Sequence, residues 1–397
     1  MNSMRILKIY DGDYPWDVRV EKVGQTLLAA GHSVRLLCRN RRRRRRHERL
    51  SDGLDVCRLP RVHDALSFPF FLNPVWAACL MSEVRRFRPD RLLVRDLPLA
   101  PLALAVGRLY RIPVIADLAE PYPDSLRSQR QFQQRSLVDR VVRNPSLADQ
   151  VERLVVRRID RALVVCPEAG RRLERQGLAA GRWTEVGNTV MLERFAPRGQ
   201  AVPELDGLEG RCLLLFSGLL AGDRGVDVAL QALAGLQVTH PERFALAIVG
   251  KGPVRRQLEA QAQALGLDGH VRFTGWIDYD RLPDVVARAS IGILPFRSCA
   301  HINSTLANKL FEYMTLGLPV VVSDVPPMLR VLGETGAGLS FRSGDAADLA
   351  AKVERLADDA DLRQRCADGG RRAAKETYNW DIDGRRLLAA VETPGRP

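Results

Sequence analysis

A chain of 397 residues is long enough for two domains of ordinary size, and 46% hydrophobic content supports packed cores throughout. No apolar run reaches the roughly 20 residues needed to span a bilayer. Seven cysteines lie far apart with no CxxC pair and the histidines show no ligand spacing, which argues for reduced thiols in a cytoplasm over a disulfide framework or a zinc site. Sixty Lys and Arg against 47 Asp and Glu leave a net charge of +13 and favour an anionic partner.

The first half reads as alternating strands and helices. Arg5–Tyr10 is a strand, after which the chain turns polar, so no secretion signal is expected. A helix with Val20, Val23, Leu27 and Leu28 on one face follows, and Val34–Leu37 is the next strand, the unit of a doubly wound sheet. The run Arg41–Arg46 suits nucleic acid or anionic lipid head groups, or is a solvated loop. It lacks aromatic interleaving and any recognisable nucleic-acid module, so no nucleic acid is expected as a partner. Leu54–Leu59 is a further strand, and Ser67–Phe87 is an apolar stretch leading into an amphipathic helix that belongs to the core or dips into a membrane surface. Arg91–Val94 leads to Asp96, and Val114–Ala116 leads to Asp117 and Glu120, acids placed where doubly wound sheets hold ligands. Ser125–Ala148 is polar and reads as a mobile helical insertion; Ala162–Val165 is a strand and Glu185–Thr189 closes the half. Phe195–Gly210 carries prolines and glycines without apolar periodicity, so the linker is expected there.

The second half repeats the pattern with strands at Cys212–Phe216, Phe244–Val249, Val271–Phe273, Ser290–Pro295, Val320–Val322 and Gly338–Phe341. The first two end in glycine turns, Ser217-Gly218 and Gly250-Lys251-Gly252, which let a ligand approach the backbone; with Arg224 they suggest a phosphate cradle. Between the fourth and fifth strands runs Asn303–Asp324. Ser304 or Thr305 is expected to cap a helix there, and Gly317 to end it. Glu312 follows Thr305 by seven positions, about 10 Å along a helix and on the same face. A phosphate at the helix N-terminus and a diol on the acid outline a nucleotide diphosphate; the alternative is that Glu312 is the solvent-side residue of an amphipathic helix.

Several stretches together resemble a known family. Asn308-Lys309-Leu310-Phe311-Glu312-Tyr313-Met314 with Gly317-Leu318-Pro319-Val320-Val321 is the most specific; Ser217-Gly218 with Arg224-Gly225, Val249–Pro253, Phe273–Trp276 and Gly187–Thr189 accompany it, and Tyr14–Lys22 and Asp117–Pro123 match at the front. The chain resembles family 4 of the retaining, nucleotide-sugar-dependent glycosyltransferases, most closely those that make surface polysaccharides. The resemblance implies an α/β fold of two facing Rossmann-like domains (GT-B type) with a cleft between them. An acceptor domain would span 1–198, a donor domain 199–378, and the C-terminal helix at 379–397 is expected to return to the first. Three departures stand out: Ser304 replaces a glutamate common in the family, Leu219 an arginine and Ala119 a histidine.

What the resemblance implies for function is a retaining hexosyl- or N-acetylhexosaminyl-transferase that moves a sugar from a nucleotide-diphosphate sugar to an acceptor hydroxyl. Arg224, Lys309 and Glu312 would carry the chemistry, with Gly218, Gly250, Gly252, Thr274, Gly275, Ser304, Thr305 and Leu306 completing the donor site. Asp13, Trp16, Asp17, Arg19, Asp117 and Glu120 would lie on the acceptor side. No cofactor and no metal is expected. The acceptor is expected to be lipid-linked or an oligosaccharide, and the location cytoplasmic, peripheral on the inner face of an anionic membrane. The alternatives are a nucleotide-sugar epimerase of the same fold, or a non-catalytic binder that uses the arginine run.

Overall fold

The computed structural model describes residues 3–15, 17–63, 68, 71–132 and 143–393. Two α/β sheets organise them. The first has eight strands: β1 (Arg5–Asp13), β2 (Ser33–Arg39), β3 (His47–Arg49), β4 (Asp55–Arg58), β5 (Arg91–Arg95), β6 (Val114–Asp117), β7 (Arg161–Val164) and β8 (Trp183–Glu185). Their order is β3-β4-β2-β1-β5-β6-β7-β8, parallel throughout except β3 against β4. The second sheet has six parallel strands: β9 (Cys212–Ser217), β10 (Phe244–Val249), β11 (Val271–Gly275), β12 (Ile291–Leu294), β13 (Val320–Ser323) and β14 (Gly338–Phe341), ordered β11-β10-β9-β12-β13-β14.

The aliphatic runs become strands because helices cover both faces of a parallel sheet, so every position can be apolar; all six residues of β10 are buried. In each sheet the chain winds outward on one side of its first strand and then resumes on the other. The direction reverses between β1 and β5, and between β9 and β12. At such a switch point the connections diverge and leave a crevice at the carboxyl ends of the strands, the usual ligand position in this architecture.

The chain divides into two compact units. One comprises Met1–Pro123, Arg143–Gly187 and Asp383–Pro397; the other comprises Asp124–Val142 and Asn188–Ile382. The passage between them comes earlier than the linker expected at Phe195–Gly210. That stretch is anchored within the second unit: the Asp284 carboxylate accepts the N–H groups of Arg198, Gly199 and Gln200 at 2.9, 2.8 and 3.2 Å, and Phe195 is buried. The end of the helix Trp380–Glu392 belongs to the first unit, where Glu392 lies 3.3 Å from His32 Nε2.

The helix Pro74–Phe87 is capped by Asn73, whose side chain accepts from Val75 and Trp76 N–H at 2.8 and 3.2 Å. Trp76, Leu80 and Val84 are buried, so this helix belongs to the core and Trp76 is not available to a membrane. The expected insertion at Ser125–Ala148 contributes parts of the helices Tyr122–Phe132 and Pro145–Val156, and the rest of it lies outside the described residues. Among the described residues no helix is long and apolar enough to cross a membrane.

Candidate functional site

In the second unit the loops that leave β9, β10 and β11 are joined backbone to backbone. Gly218 N–H donates to Val249 O at 2.9 Å, and Gly250 N–H donates to Gly275 O at 2.7 Å. Gly250 has φ +143°, and a Cβ on it would lie 1.9 Å from Gly218 O, so no other residue fits there. Gly252 follows in the same loop, and Thr274, the last residue but one of β11, donates its hydroxyl to Gly275 O at 3.1 Å. Across the switch point, Gly225 is left-handed at φ +65°, and a Cβ on it would lie 1.8 Å from Pro295 O just past β12. That contact fixes the preceding turn, Gly222–Arg224, and with it Arg224, whose guanidinium lies 4.9 Å from the Phe296 ring centre.

Beside Arg224, Asp223 is buried and accepts from Ser128 Oγ at 2.8 Å and from His301 Nδ1 at 3.0 Å. Burial alone would raise this carboxyl. The hydrogen bond from His301, the charge of Arg224 and the Ser128 hydroxyl outweigh it and hold the group at about 2.

The next helix runs Asn308–Leu316, later than expected, with Ala307 at its N-cap and no side-chain cap. Ser304 closes a short 3-10 turn (Ile302–Ser304) and Thr305 is extended, so neither caps the helix and Thr305 shares no helical face with Glu312. Leu306 is buried. Glu312 is 1% exposed, which removes the reading of a solvent-side acid. Its Oε2 lies 2.9 Å from Lys309 Nζ, one turn back. Tyr313 Oη lies 3.0 Å from Ser217 Oγ, and this contact seats the helix over the carboxyl end of β9. The structure therefore gathers the Gly218 and Gly250 turns, Arg224 and the Lys309–Glu312 pair at one sheet edge.

At the carboxyl edge of the first sheet the expected residues take different roles. Arg19 is 4% exposed and grips Asp117, with Nη2 2.7 Å and Nε 3.0 Å from Oδ1; its Nη1 donates to Gly187 O at 3.1 Å. Lys8 and Arg95 lie 3.9 and 3.6 Å from the other Asp117 oxygen. Burial pushes the Asp117 carboxyl up, but Arg19, Lys8 and Arg95 overcome it and hold the group well below the usual carboxylate range. Arg19 and Asp117 are thus a buried brace. Asp17 caps the helix Val18–Ala29 by accepting from Val20 N–H at 2.9 Å. Asp13 pairs with Arg41 at 3.3 Å and Glu120 is exposed. Trp16 lies outside the described residues.

Sequence reasoning missed Lys8, Arg95, Asp223 and His301. The signal for the first two was present: Lys8 interrupts the apolar run of RILKIY, and Arg95 directly follows the apolar run of RLLVR. Asp223 and His301 are 78 positions apart and gave none.

Two parallel α/β units, each with a polar switch point, define the architecture of a GT-B glycosyltransferase. Residues 17–189 match the glycosyl transferase 4-like domain and residues 204–373 match glycosyl transferases group 1, and the chain belongs to the family 4 glycosyltransferases. It is 29% identical over 332 residues to a 2-deoxystreptamine glucosyltransferase of Streptomyces kanamyceticus, a match that covers 80% of this chain and 81% of that one. It is also 29% identical over 192 residues to an alpha-D-kanosaminyltransferase of the same organism, there spanning 48% of this chain and only 47% of the relative. A solved structure of HepE from Anabaena in complex with UDP-glucose shares the fold, with a TM-score of 0.71 at 13% identity over 97% of this chain and 98% of that one. Membership of the family gives this chain glycosyltransferase function in glycan or glycolipid biosynthesis.

Proposed function

We propose that the chain transfers a sugar, with retention at the anomeric carbon, from a nucleoside-diphosphate sugar held on the second unit. Glu312 carries this reading: a carboxylate 1% exposed, in a nine-residue helix whose N-terminus has no side-chain cap and whose first turn bears a lysine. Buried acids are rare unless paired or functional, and here the partner Lys309 is itself placed to meet an anion. In the proposed complex Glu312 accepts hydrogen bonds from the ribose hydroxyls. The diphosphate lies against the uncapped N–H groups and the backbone at Gly218, where Lys309 and Arg224 neutralise the charge that develops on it as the sugar leaves. Fixed positive groups at a developing charge are commonly the largest catalytic contribution. The acceptor hydroxyl attacks from the face the diphosphate leaves, so no enzyme nucleophile is required. The acceptor is a lipid-linked or oligosaccharide alcohol taken by the first unit, a reading supported by the six exposed arginines at 41–46 in that unit.

The test is turnover of a panel of nucleotide sugars with and without membrane extracts or oligosaccharides as acceptors, with the product linkage assigned by proton NMR. Acceptor-dependent release of nucleoside diphosphate and a product with the donor's anomeric configuration are expected. Sugar epimerised without any acceptor, or an inverted linkage, overturns the proposal.

A further inference from the structure

Away from both switch points, the edge of the first sheet brings together three residues remote in sequence. In the β3–β4 hairpin, His47 and Cys57 are directly opposed in antiparallel register, so their side chains share one face. The helix Pro74–Phe87 lays Glu83 against that face. A ring nitrogen of His47, the sulfur of Cys57 and a carboxylate oxygen of Glu83 all lie within 4.8 Å of one another, and among the described residues no other such group of potential metal ligands occurs. Cys57 and Glu83 are 2% and 1% exposed, and His47 is open to solvent.

We infer that His47, Cys57 and Glu83 form a site for a divalent transition-metal ion of the zinc type, which ties the hairpin bearing Arg41–Arg46 to the Pro74–Phe87 helix. The first reason is the donor set. Imidazole, thiolate and carboxylate suit a borderline-soft cation, and three protein ligands are enough to hold zinc. The second is a separate fact about Glu83. Its Oε2 meets Arg35 Nη1 at 3.1 Å and the carboxylate also interacts with the Cys57 thiol, but its buried Oε1 has no well-directed hydrogen bond. An unsatisfied buried carboxylate oxygen is costly, and a cation seated between Glu83, Cys57 and His47 supplies the missing partner.

The charges balance. A doubly charged ion with one thiolate, one carboxylate and a neutral imidazole sums to zero, and the Cys57 proton leaves to solvent on binding. Two cations flank the site: Arg35, which has Asp55 as a second partner at 3.7 Å, and Arg46, whose charge acts on Cys57 and which hydrogen-bonds to Cys79; Arg46 is exposed and can turn to solvent as the ion enters. Closing the three ligands onto one ion needs a contraction of about an ångström from their present spacing, which His47 can supply from an exposed strand of three residues at the sheet edge. The sequence hid this site because its members, at 47, 57 and 83, follow no ligand spacing.

The experiment uses the full chain, stripped with a chelator and titrated with cobalt(II), whose spectrum reports thiolate ligation directly. One equivalent should bind with a thiolate-to-cobalt charge-transfer band. Cys57→Ser should abolish the band, while His47→Ala and Glu83→Gln should each weaken binding by about 100-fold; circular dichroism confirms that each variant is folded. Zinc should also slow tryptic cleavage within 41–46 of the wild type several-fold and leave the Cys57→Ser rate unchanged. Absence of a thiolate band at stoichiometric cobalt, a band that survives Cys57→Ser, or tryptic cleavage insensitive to zinc overturns the site.

Discussion

Replacing Glu312 by glutamine is the sharpest perturbation of the donor site. The amide keeps the size of the side chain and can still accept from Lys309, so a residue 1% exposed should remain packed. Lys309 keeps 23% of its side-chain surface in water, and the lost charge interaction should cost the fold only about 1 kcal/mol. Ligand binding should suffer more. Hydrogen bonds to a charged acceptor contribute ~1.5–3 kcal/mol, and each 1.4 kcal/mol is about a factor of ten in affinity. A nucleoside diphosphate should therefore bind about 10- to 100-fold more weakly. Calorimetric titration of both proteins with uridine diphosphate and with its 2′,3′-dideoxy analogue separates this from a general loss of structure. The analogue lacks the hydroxyls, so it should bind wild type weakly and be indifferent to the substitution, giving a coupling energy of about 1.5–3 kcal/mol. If the substitution weakens both ligands equally, or neither, the ribose assignment is wrong.

Other outcomes follow from the same geometry. Arg224→Ala should slow turnover about 100-fold while shifting the melting point little, since its visible contacts are the Phe296 ring and Asp223; wild-type turnover would place the diphosphate elsewhere. Lys309→Ala should slow turnover and also lower stability, by about 1–3 kcal/mol, because it strands the buried Glu312 carboxylate; scanning calorimetry beside kinetics distinguishes the two variants. Wild-type protein should sediment with anionic vesicles at low salt and be released as salt rises, at about 1 kcal/mol per arginine. Serines at 41–46 should abolish this without changing nucleotide affinity, and wild type that stays in the supernatant refutes it. Asp96 is pushed by burial to about 7, against the opposing charge of Arg95. Its folded value exceeds the unfolded one of about 4, so the folded state holds a proton the unfolded state has lost, and Asp96 opposes folding increasingly as pH rises from about 4 to 7. Asp96→Asn, tolerated at φ +59°, should thus gain melting temperature over wild type between pH 5 and pH 8; an advantage that does not change with pH contradicts this.

The fold was legible where burial alone decides structure. Val320–Val322 and Phe244–Val249 are apolar throughout, and nothing but a covered parallel strand suits them. The site was legible in part. The glycine turns after β9 and β10 could be placed because a glycine directly after a strand has few structural uses; in the structure the close approaches at Gly250 and Gly225 are to Gly218 O and Pro295 O, within the protein itself. The direction of Glu312 could not be read, since an acid among apolar residues at helical spacing is equally consistent with either face of a short helix. The helix start also misled: Ser304 and Thr305 have the chemistry of caps, yet the 3-10 turn at Ile302–Ser304 absorbs the first and leaves Ala307 at the N-cap. Arg19 was expected on the acceptor side, and nothing in the sequence signals that it is buried. Its burial depends on Asp117, which is 98 positions away and reaches it only through the sheet order.

The central claim is that the second unit binds a nucleoside diphosphate through Glu312. Thermal unfolding of wild type and Glu312→Gln with each of the common nucleoside diphosphates tests it most directly. At a ligand concentration about 100 times the dissociation constant, binding to the folded state adds ~2.7 kcal/mol, a rise of about 5–10 °C for a unit of this size. One base should produce that rise in wild type, and the same concentration should give a much smaller one in the variant. No stabilisation by any nucleoside diphosphate, or equal stabilisation of both proteins, would contradict the claim.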